Sequence, residues 1–268
     1  MYFLVFVSKR LILIHILAVV AIQLFLTRSV SCLNMTNAYL HHKCYVTQGK
    51  YEPGSEYEKH LTSITQTMRL TSDLSKGYEM NGFSWGGNFV SVMVQCRGDS
   101  YGPKCRSCFA TALSGLRRKC PKYKGGLVWY EHCLLEFSGK DTSYQIDYDN
   151  NLCMNNPKNV SDQVSVNNSF GMKWMTLVSN LTSIAIKKEN NDLAPLYAAG
   201  ERSFGTYKLY GMVQCTFDIG EKGCRESIGY NMVHFQDCLY GKRGARVLGR
   251  NCNFRFEIYA FVSNSLKM

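Results

Sequence analysis

The apolar positions along the chain fall into one continuous run and then two similar series of periodic segments. The continuous run is Leu11 to Leu26, interrupted only by His15 and Gln23. It follows the basic pair Lys9–Arg10 and precedes small residues at Ser29 and Ser31. This order of basic, apolar and small residues predicts a secretory signal peptide over residues 1–32. A membrane span needs about 20 apolar residues, so cleavage is expected rather than anchoring. No second apolar run follows, and no hydrophobic tail precedes Met268, so the mature chain is expected to carry neither a membrane span nor a lipid-anchor signal.

Beyond the leader, Tyr57, Leu61, Ile64 and Met68 recur at helical spacing, and so do Trp174, Leu177, Leu181 and Ile184. Each set predicts a long amphipathic helix with a polar outer face. Alternation at Phe89, Ser91 and Met93, and less cleanly at Tyr210, Met212 and Gln214, predicts a strand entering a cysteine motif. A second helix is expected at Cys105 to Arg118 in one half and at Cys224 to Phe235 in the other. Strand-rich stretches follow at Leu127 to Phe137 and Arg246 to Phe261, set off by Gly125–Gly126 and by the glycines at 241 and 244.

This doubling is an internal repeat. Cys96, Cys105 and Cys133 recur 119 residues later as Cys215, Cys224 and Cys252, and Cys120 recurs 118 later as Cys238. Met93-Val94-Gln95-Cys96 reappears as Met212-Val213-Gln214-Cys215. The halves differ at one cysteine. The first reads C-x8-C-x2-C through Cys96, Cys105 and Cys108, whereas the second has Ser227 at the third place. Helices segregated from antiparallel strands give an α+β class. The expected boundaries are a first domain over 33–140, a polar linker over 141–151 and a second domain over 152–268.

Composition refines the picture in two respects. Twelve cysteines in 268 residues, behind a secretory leader, indicate disulfides formed in an oxidising compartment. Zinc is disfavoured because Cys105 and Cys108 have no second close pair to complete four ligands. Four N-x-[ST] sequons, at Asn34, Asn159, Asn167 and Asn180, are expected N-glycosylation sites. Removing residues 1–32 leaves 28 basic against 20 acidic residues, a net charge of +8. That favours anionic extracellular surfaces, but no helix–turn–helix or aromatic–basic motif points to nucleic acid.

The cysteine pattern resembles that of the plant cysteine-rich repeat secretory proteins, whose unit is the ginkbilobin-type (stress-antifungal) domain. The segments Gly244-Ala245-Arg246-Val247 and Asn251-Cys252-Asn253-Phe254-Arg255-Phe256-Glu257 are also similar to that family. The resemblance implies two tandem domains, each with two helices on a five-stranded antiparallel sheet. It further implies the pairs Cys44–Cys120, Cys96–Cys105 and Cys108–Cys133 in the first half, and Cys153–Cys238 and Cys215–Cys224 in the second. Cys252 is then left unpaired, and a buried, inert thiol is expected there.

The same resemblance implies a mannose site made by an Asn, an Arg and a Glu. Arg246 and Glu257 match two of these positions, but Met154 occupies the third. In the first half the three places hold Tyr45, Leu127 and Ser138. Arg246 and Glu257 are therefore carbohydrate-binding candidates, with a cross-strand ion pair as the competing role. No catalytic residue is singled out. Glu131 with Glu136, and Asp147 with Asp149, could act as paired carboxylates, and His132 adjoins Cys133, but no motif unites them. No cofactor or metal is expected. The expected function is that of a secreted, non-enzymatic binding protein for a mannose-like cell-wall or microbial glycan in defence. The alternatives are an extracellular module that docks a protein, and a diverged copy with little activity.

Overall fold

The computed structural model describes residues 37–71, 74–160, 169–187, 196–204, 207–262 and 266–267. From Asn37 onward they belong to one compact unit. The leader, Cys32 and the sequons at Asn34 and Asn167 lie outside the described residues.

The first half runs β1 (Tyr39–Cys44), α1 (Glu56–Thr71), β2 (Tyr78–Trp85), β3 (Asn88–Cys96), α2 (Pro103–Lys119), β4 (Gly126–Tyr130) and β5 (Cys133–Ser138). Its strands form an antiparallel sheet in the order β1-β4-β5-β3-β2. The second half runs β6 (Leu152–Asn155), α3 (Ser169–Ala185), β7 (Leu196–Phe204), β8 (Tyr207–Cys215), α4 (Gly220–His234), α5 (Gln236–Leu239), β9 (Gly244–Leu248), β10 (Cys252–Glu257) and β11 (Leu266–Lys267). Its sheet order is β11-β7-β8-β10-β9-β6. This sheet has a sixth strand beyond the five implied by the resemblance. Leu266 and Lys267 pair in parallel with Gly200 and Glu201, covering part of an edge whose first-half counterpart, β2, has no outer neighbour among the described residues.

Both helices of the first half rest on one face of their sheet. Leu61 and Met68 of α1 and Phe109 and Leu116 of α2 pack on Val92, Val94, Leu135 and Phe137. In the second half Trp174, Leu177 and Leu181 of α3 meet Val213, Phe254 and Phe256. The Trp174 ring lies parallel to Phe256, with centroids 4.8 Å apart. The period expected for α3 slips at its end. Ile184 turns outward, and Val178 and Ala185 are buried instead.

A strand covered on one face alternates buried and exposed positions. The central strands here do not alternate. β5 is buried at every residue, and β3 from Val90 to Cys96. Their second face meets the other domain. Met93, Leu127, Trp129 and Leu134 form a separate cluster with Leu248 of the second half. The sheet faces turned away from the helices therefore pack against each other, as in a sandwich. Residues 141–151 do not hang free. The Asp147 amide donates to Asn251 Oδ1 at 2.7 Å, and the Tyr148 hydroxyl donates to Glu226 at 2.6 Å.

Candidate functional site: the seam between the two sheets

Two glutamines mark the centre of the seam. Gln95 Nε2 donates to the Cys215 carbonyl at 3.1 Å, and Gln214 Nε2 donates to the Cys96 carbonyl at 2.8 Å. Gln95 and Gln214 are repeat-equivalent, so the contact is reciprocal, as across a two-fold axis.

The ion pairs obey the same relation with their charges exchanged. Glu136 and Arg250 are each 1% exposed and meet at 3.0 Å. Glu131 Oε1 meets Arg255 at 3.0 Å. By the 119-residue offset, Glu131 corresponds to Arg250 and Glu136 to Arg255. The first half thus supplies both carboxylates and the second half both guanidiniums. Two copies of either half, docked by this face, would bring like charges together. The tandem pair brings opposite charges together, so charge selects it over self-pairing.

Each centre is well satisfied. Glu136 also accepts from the Tyr45 hydroxyl at 2.7 Å and from Thr142 at 3.3 Å. Burial works against the charge of Arg250, but the Glu136 and Asp218 carboxylates more than offset it and raise its pKa. Glu131 is ringed by Arg246 at 2.7 Å, Arg97 at 2.8 Å and Arg255. Burial pushes the Glu131 carboxyl up, and the guanidiniums of Arg246 and Arg255 pull it lower still, leaving it below its ordinary range. Arg97 is held in turn by Asp99, with Nε to Oδ1 at 2.6 Å and Nη2 to Oδ2 at 3.0 Å.

The structure brings the expected sugar residues into this seam. Met154, Arg246 and Arg255 stand opposite one another on β6, β9 and β10. Glu257 faces Gly244, where a Cβ would meet its Oε2 at 1.7 Å, so a side chain there would push the carboxylate aside. Arg246 and Glu257 do not form the cross-strand pair weighed above. Arg246 binds Glu131, and Glu257 Oε1 accepts from Arg255 Nε at 3.0 Å. Glu257 Oε2 is buried without a hydrogen-bond partner, and burial raises the carboxyl's pKa. The cavity beside Arg246 and Arg255 has a volume of about 40 Å³. That holds a few waters and is too small for a pyranose. In the first half Tyr45 is bound to Glu136, Leu127 sits in the apolar seam and Ser138 bonds Gln48.

The other candidates are engaged elsewhere. Glu131 and Glu136 are bound to arginines rather than to each other. Asp147 caps its own turn by accepting from the amides of Asp149 and Asn150. His132 is buried, with Nδ1 2.9 Å from Ser100 Oγ. Asn159 Oδ1 accepts from Lys242, and Asn180 is exposed on α3. Among the described residues no helix is long and apolar enough to cross a membrane.

The structure joins the sulfurs of Cys44 and Cys120, Cys96 and Cys105, Cys108 and Cys133, Cys153 and Cys238, and Cys215 and Cys224. The sulfur expected to be unpaired at Cys252 is not remote from the others. Cys252 is the strand partner of Cys215, and its sulfur also lies within bonding reach of Cys215 Sγ. Ser227 leaves it there, because the equivalent first-half strand partner of Cys96, Cys133, is bonded to Cys108, and position 227 offers no sulfur.

A salt stress response/antifungal family model matches residues 43–140 and again 152–259. Putative cysteine-rich repeat secretory protein 17 of Arabidopsis thaliana is 54% identical, over 98% of this chain and 96% of its own length. Cysteine-rich repeat secretory protein 18 of the same plant is 48% identical, over 96% of this chain and 95% of its own length. Among solved structures, the tandem DUF26 ectodomain of the Arabidopsis cysteine-rich receptor-like protein PDLP8 is similar with a TM-score of 0.69. It is 18% identical and covers 83% of this chain and 98% of that one. The ectodomain of PDLP5 gives a TM-score of 0.60 at 21% identity, covering 84% and 100%. The chain belongs to the salt stress response/antifungal family.

Proposed function

We propose that this member of the salt stress response/antifungal family is a secreted, non-enzymatic recognition module that docks an extracellular protein through the outer surface of its first domain. The secretory relatives and the leader-like N-terminus support export. The engagement of Glu131, Glu136 and Asp147, of His132 and of Cys133 supports a binding role over a catalytic one. The observation that carries the reading is the contrast between seam and edge. Of the residues matching a sugar site, Arg246 is bound to Glu131 beside a cavity of about 40 Å³, and Glu257 is bound to Arg255. Strand β2, by contrast, ends the first sheet with no neighbour on its outer side among the described residues.

β2 also bears an aromatic group. Phe83 is 44% exposed, and its ring stacks on His60 at 4.2 Å. His60 lies 4.6 Å from Trp85. An open strand edge offers backbone hydrogen bonds to an added strand, and alternate aromatic side chains supply pockets for specificity. A pull-down of extracellular proteins with the wild type, Phe83→Asp and Arg246→Ala tests this. Loss of a captured protein with Phe83→Asp alone, unaffected by free mannose, is the expected result. Release by mannose, or loss with Arg246→Ala alone, would overturn it.

Glu257 favours a second reading, a mannose-like glycan in defence. Its buried, unpartnered Oε2 is an acceptor that a sugar hydroxyl could satisfy once the seam opened. Unchanged glycan-array binding after Arg246→Ala would remove this reading.

A further inference from the structure

The sulfurs of Cys215, Cys224 and Cys252 all lie within 4.8 Å of one another, and all three residues are fully buried. One sulfur forms one disulfide, so Cys215 can be bonded to Cys224 or to Cys252 but not to both. We propose that the second domain contains a disulfide-exchange centre in which Cys215 switches between these two partners.

The step balances within the protein. The Cys252 sulfur attacks Cys215 Sγ, the Cys215–Cys252 bond forms, and the Cys215–Cys224 bond breaks. The electron pair of the broken bond leaves on Cys224, which takes up the proton that Cys252 gave up. One disulfide and one thiol are present before and after, so no external oxidant or reductant is needed. Attack requires a thiolate and an accessible target sulfur. Strand pairing of Cys252 with Cys215 supplies the access. The Cys224 carbonyl, 3.9 Å from Cys252 Sγ, links donor to leaving group.

The two states differ in what they hold together. In the first, Cys215–Cys224 ties helix α4 to strand β8. In the second, Cys215–Cys252 joins β8 to β10, which the sheet already holds side by side. The new bond thus adds little restraint, and α4 loses its only covalent link to the sheet. In the first half the equivalent helix α2 has two such links, through Cys105 and Cys108, and among the described residues every cysteine of that half is already in a disulfide.

Release of α4 reaches the rest of the molecule by contacts already present. α4 holds the inter-domain segment through Tyr148, bonded to Glu226, and through Asn151, bonded to Asn231 at 2.9 Å. The turn before α4 carries Asp218, 3.4 Å from Arg250 of the seam. The exchange therefore unlatches a helix that braces both the linker and the seam. Since a thiolate is the attacking species, interchange quickens as pH rises.

Peptide mapping tests this on the secreted full chain, alkylated under denaturing acid conditions and digested without reduction. The expected result is a mixture. Cys215–Cys224 peptides accompany alkylated Cys252, Cys215–Cys252 peptides accompany alkylated Cys224, and the same ratio returns after brief incubation with trace reduced glutathione at pH 8. A single linkage that persists through that incubation would overturn the proposal. So would a stoichiometric metal ion with all three sulfurs alkylated. Cys224→Ser provides a second arm. It is expected to carry Cys215–Cys252 and to show faster amide exchange in α4 than the wild type, while Cys252→Ser protects α4. Equal exchange in both variants would show that the linkage does not latch the helix. Should Cys224→Ser fail to be secreted, the wild-type map and the Cys252→Ser exchange rates still decide.

Discussion

In the first half, helix α2 is riveted to β3 and β5 by two disulfides. In the second, α4 has one, and the serine at 227 leaves a third sulfur crowded against it. The charges of the two sheet faces differ in the same repeat-wise manner. Glu131 and Glu136 on one are answered by Arg250 and Arg255 at equivalent places on the other. A duplicated unit thus keeps one backbone plan and spends its differences on two tasks: telling its halves apart, and loosening one helix. The seam is where the halves cooperate, and α4 is where they part.

The largest expected effect breaks the seam. Replacing Glu136 with Ala leaves Arg250 at 1% exposure beside Asp218 alone. Removing one partner of a buried pair costs about 3–5 kcal/mol, because the remaining charge stays buried. Denaturant melts are expected to show that loss, together with early exposure of Trp129, whose indole donates to the Gly249 carbonyl across the seam. Two-step unfolding would sharpen the comparison by revealing the separate stability of each half. A loss below 1 kcal/mol would mean the charges do not hold the halves together.

The next effect erases the asymmetry of sulfur. Ser227→Cys restores the first-half pattern at a site only 1% exposed. A bond from the new thiol to Cys252 would stabilise the second half by about 2–4 kcal/mol, mainly by restricting its unfolded chain. Thermal unfolding with a free-thiol count checks this. The expected outcome is a higher midpoint and no titratable thiol from the cluster. An unchanged midpoint would show that position 227 does not stand in for Cys108.

Much of this comparison is legible in the chain before folding. The cysteine register gives the duplication and the odd sulfur, and helical periodicity gives α1 and α3. The edge strands β2 and β6 are not legible, because they carry mixed exposed and half-buried positions without clean alternation. The central strands β3 and β5 lie where strands are expected, but their burial on both faces is not legible, because Gln95 and Glu136 read as solvent-facing positions. The ion pairs of the seam are hidden on similar grounds. Arg246 and Glu257 were matched by position, whereas their partners, Glu131 and Arg255, are fixed by which faces meet. The one signal available was the opposite charge at equivalent positions of the repeat.

A smaller effect concerns acid. Glu131 and Asp99 both have lowered pKa values. In each, burial raises the carboxyl and nearby guanidiniums or the Arg97 hydrogen bond outweigh it. A depressed carboxyl contributes stability that is present above its unfolded value and lost as pH falls through its folded one. The seam is therefore expected to weaken as pH drops below the ordinary values of 4.5 and 3.8, and to be at full strength from pH 5 to 7. Urea midpoints between pH 7 and pH 3 check this. Glu131→Gln is expected to flatten the acid limb while lowering the plateau.

Glu257 should behave in the opposite sense, with the smallest effect of the four. Burial raises its carboxyl above the ordinary value, and the Arg255 contact only partly offsets this. The folded state then binds a proton more readily than the unfolded chain does. Ionised Glu257 therefore costs stability at neutral pH, and that cost is relieved as pH falls through the raised value. Gln keeps an oxygen for Arg255 Nε and replaces the orphaned, ionisable Oε2 with a neutral amide nitrogen. Glu257→Gln is thus expected to raise the urea midpoint slightly at pH 7, and to leave it level with the wild type at pH 4. A fall at pH 7 would mean that the second half needs this negative charge in place beside Arg255.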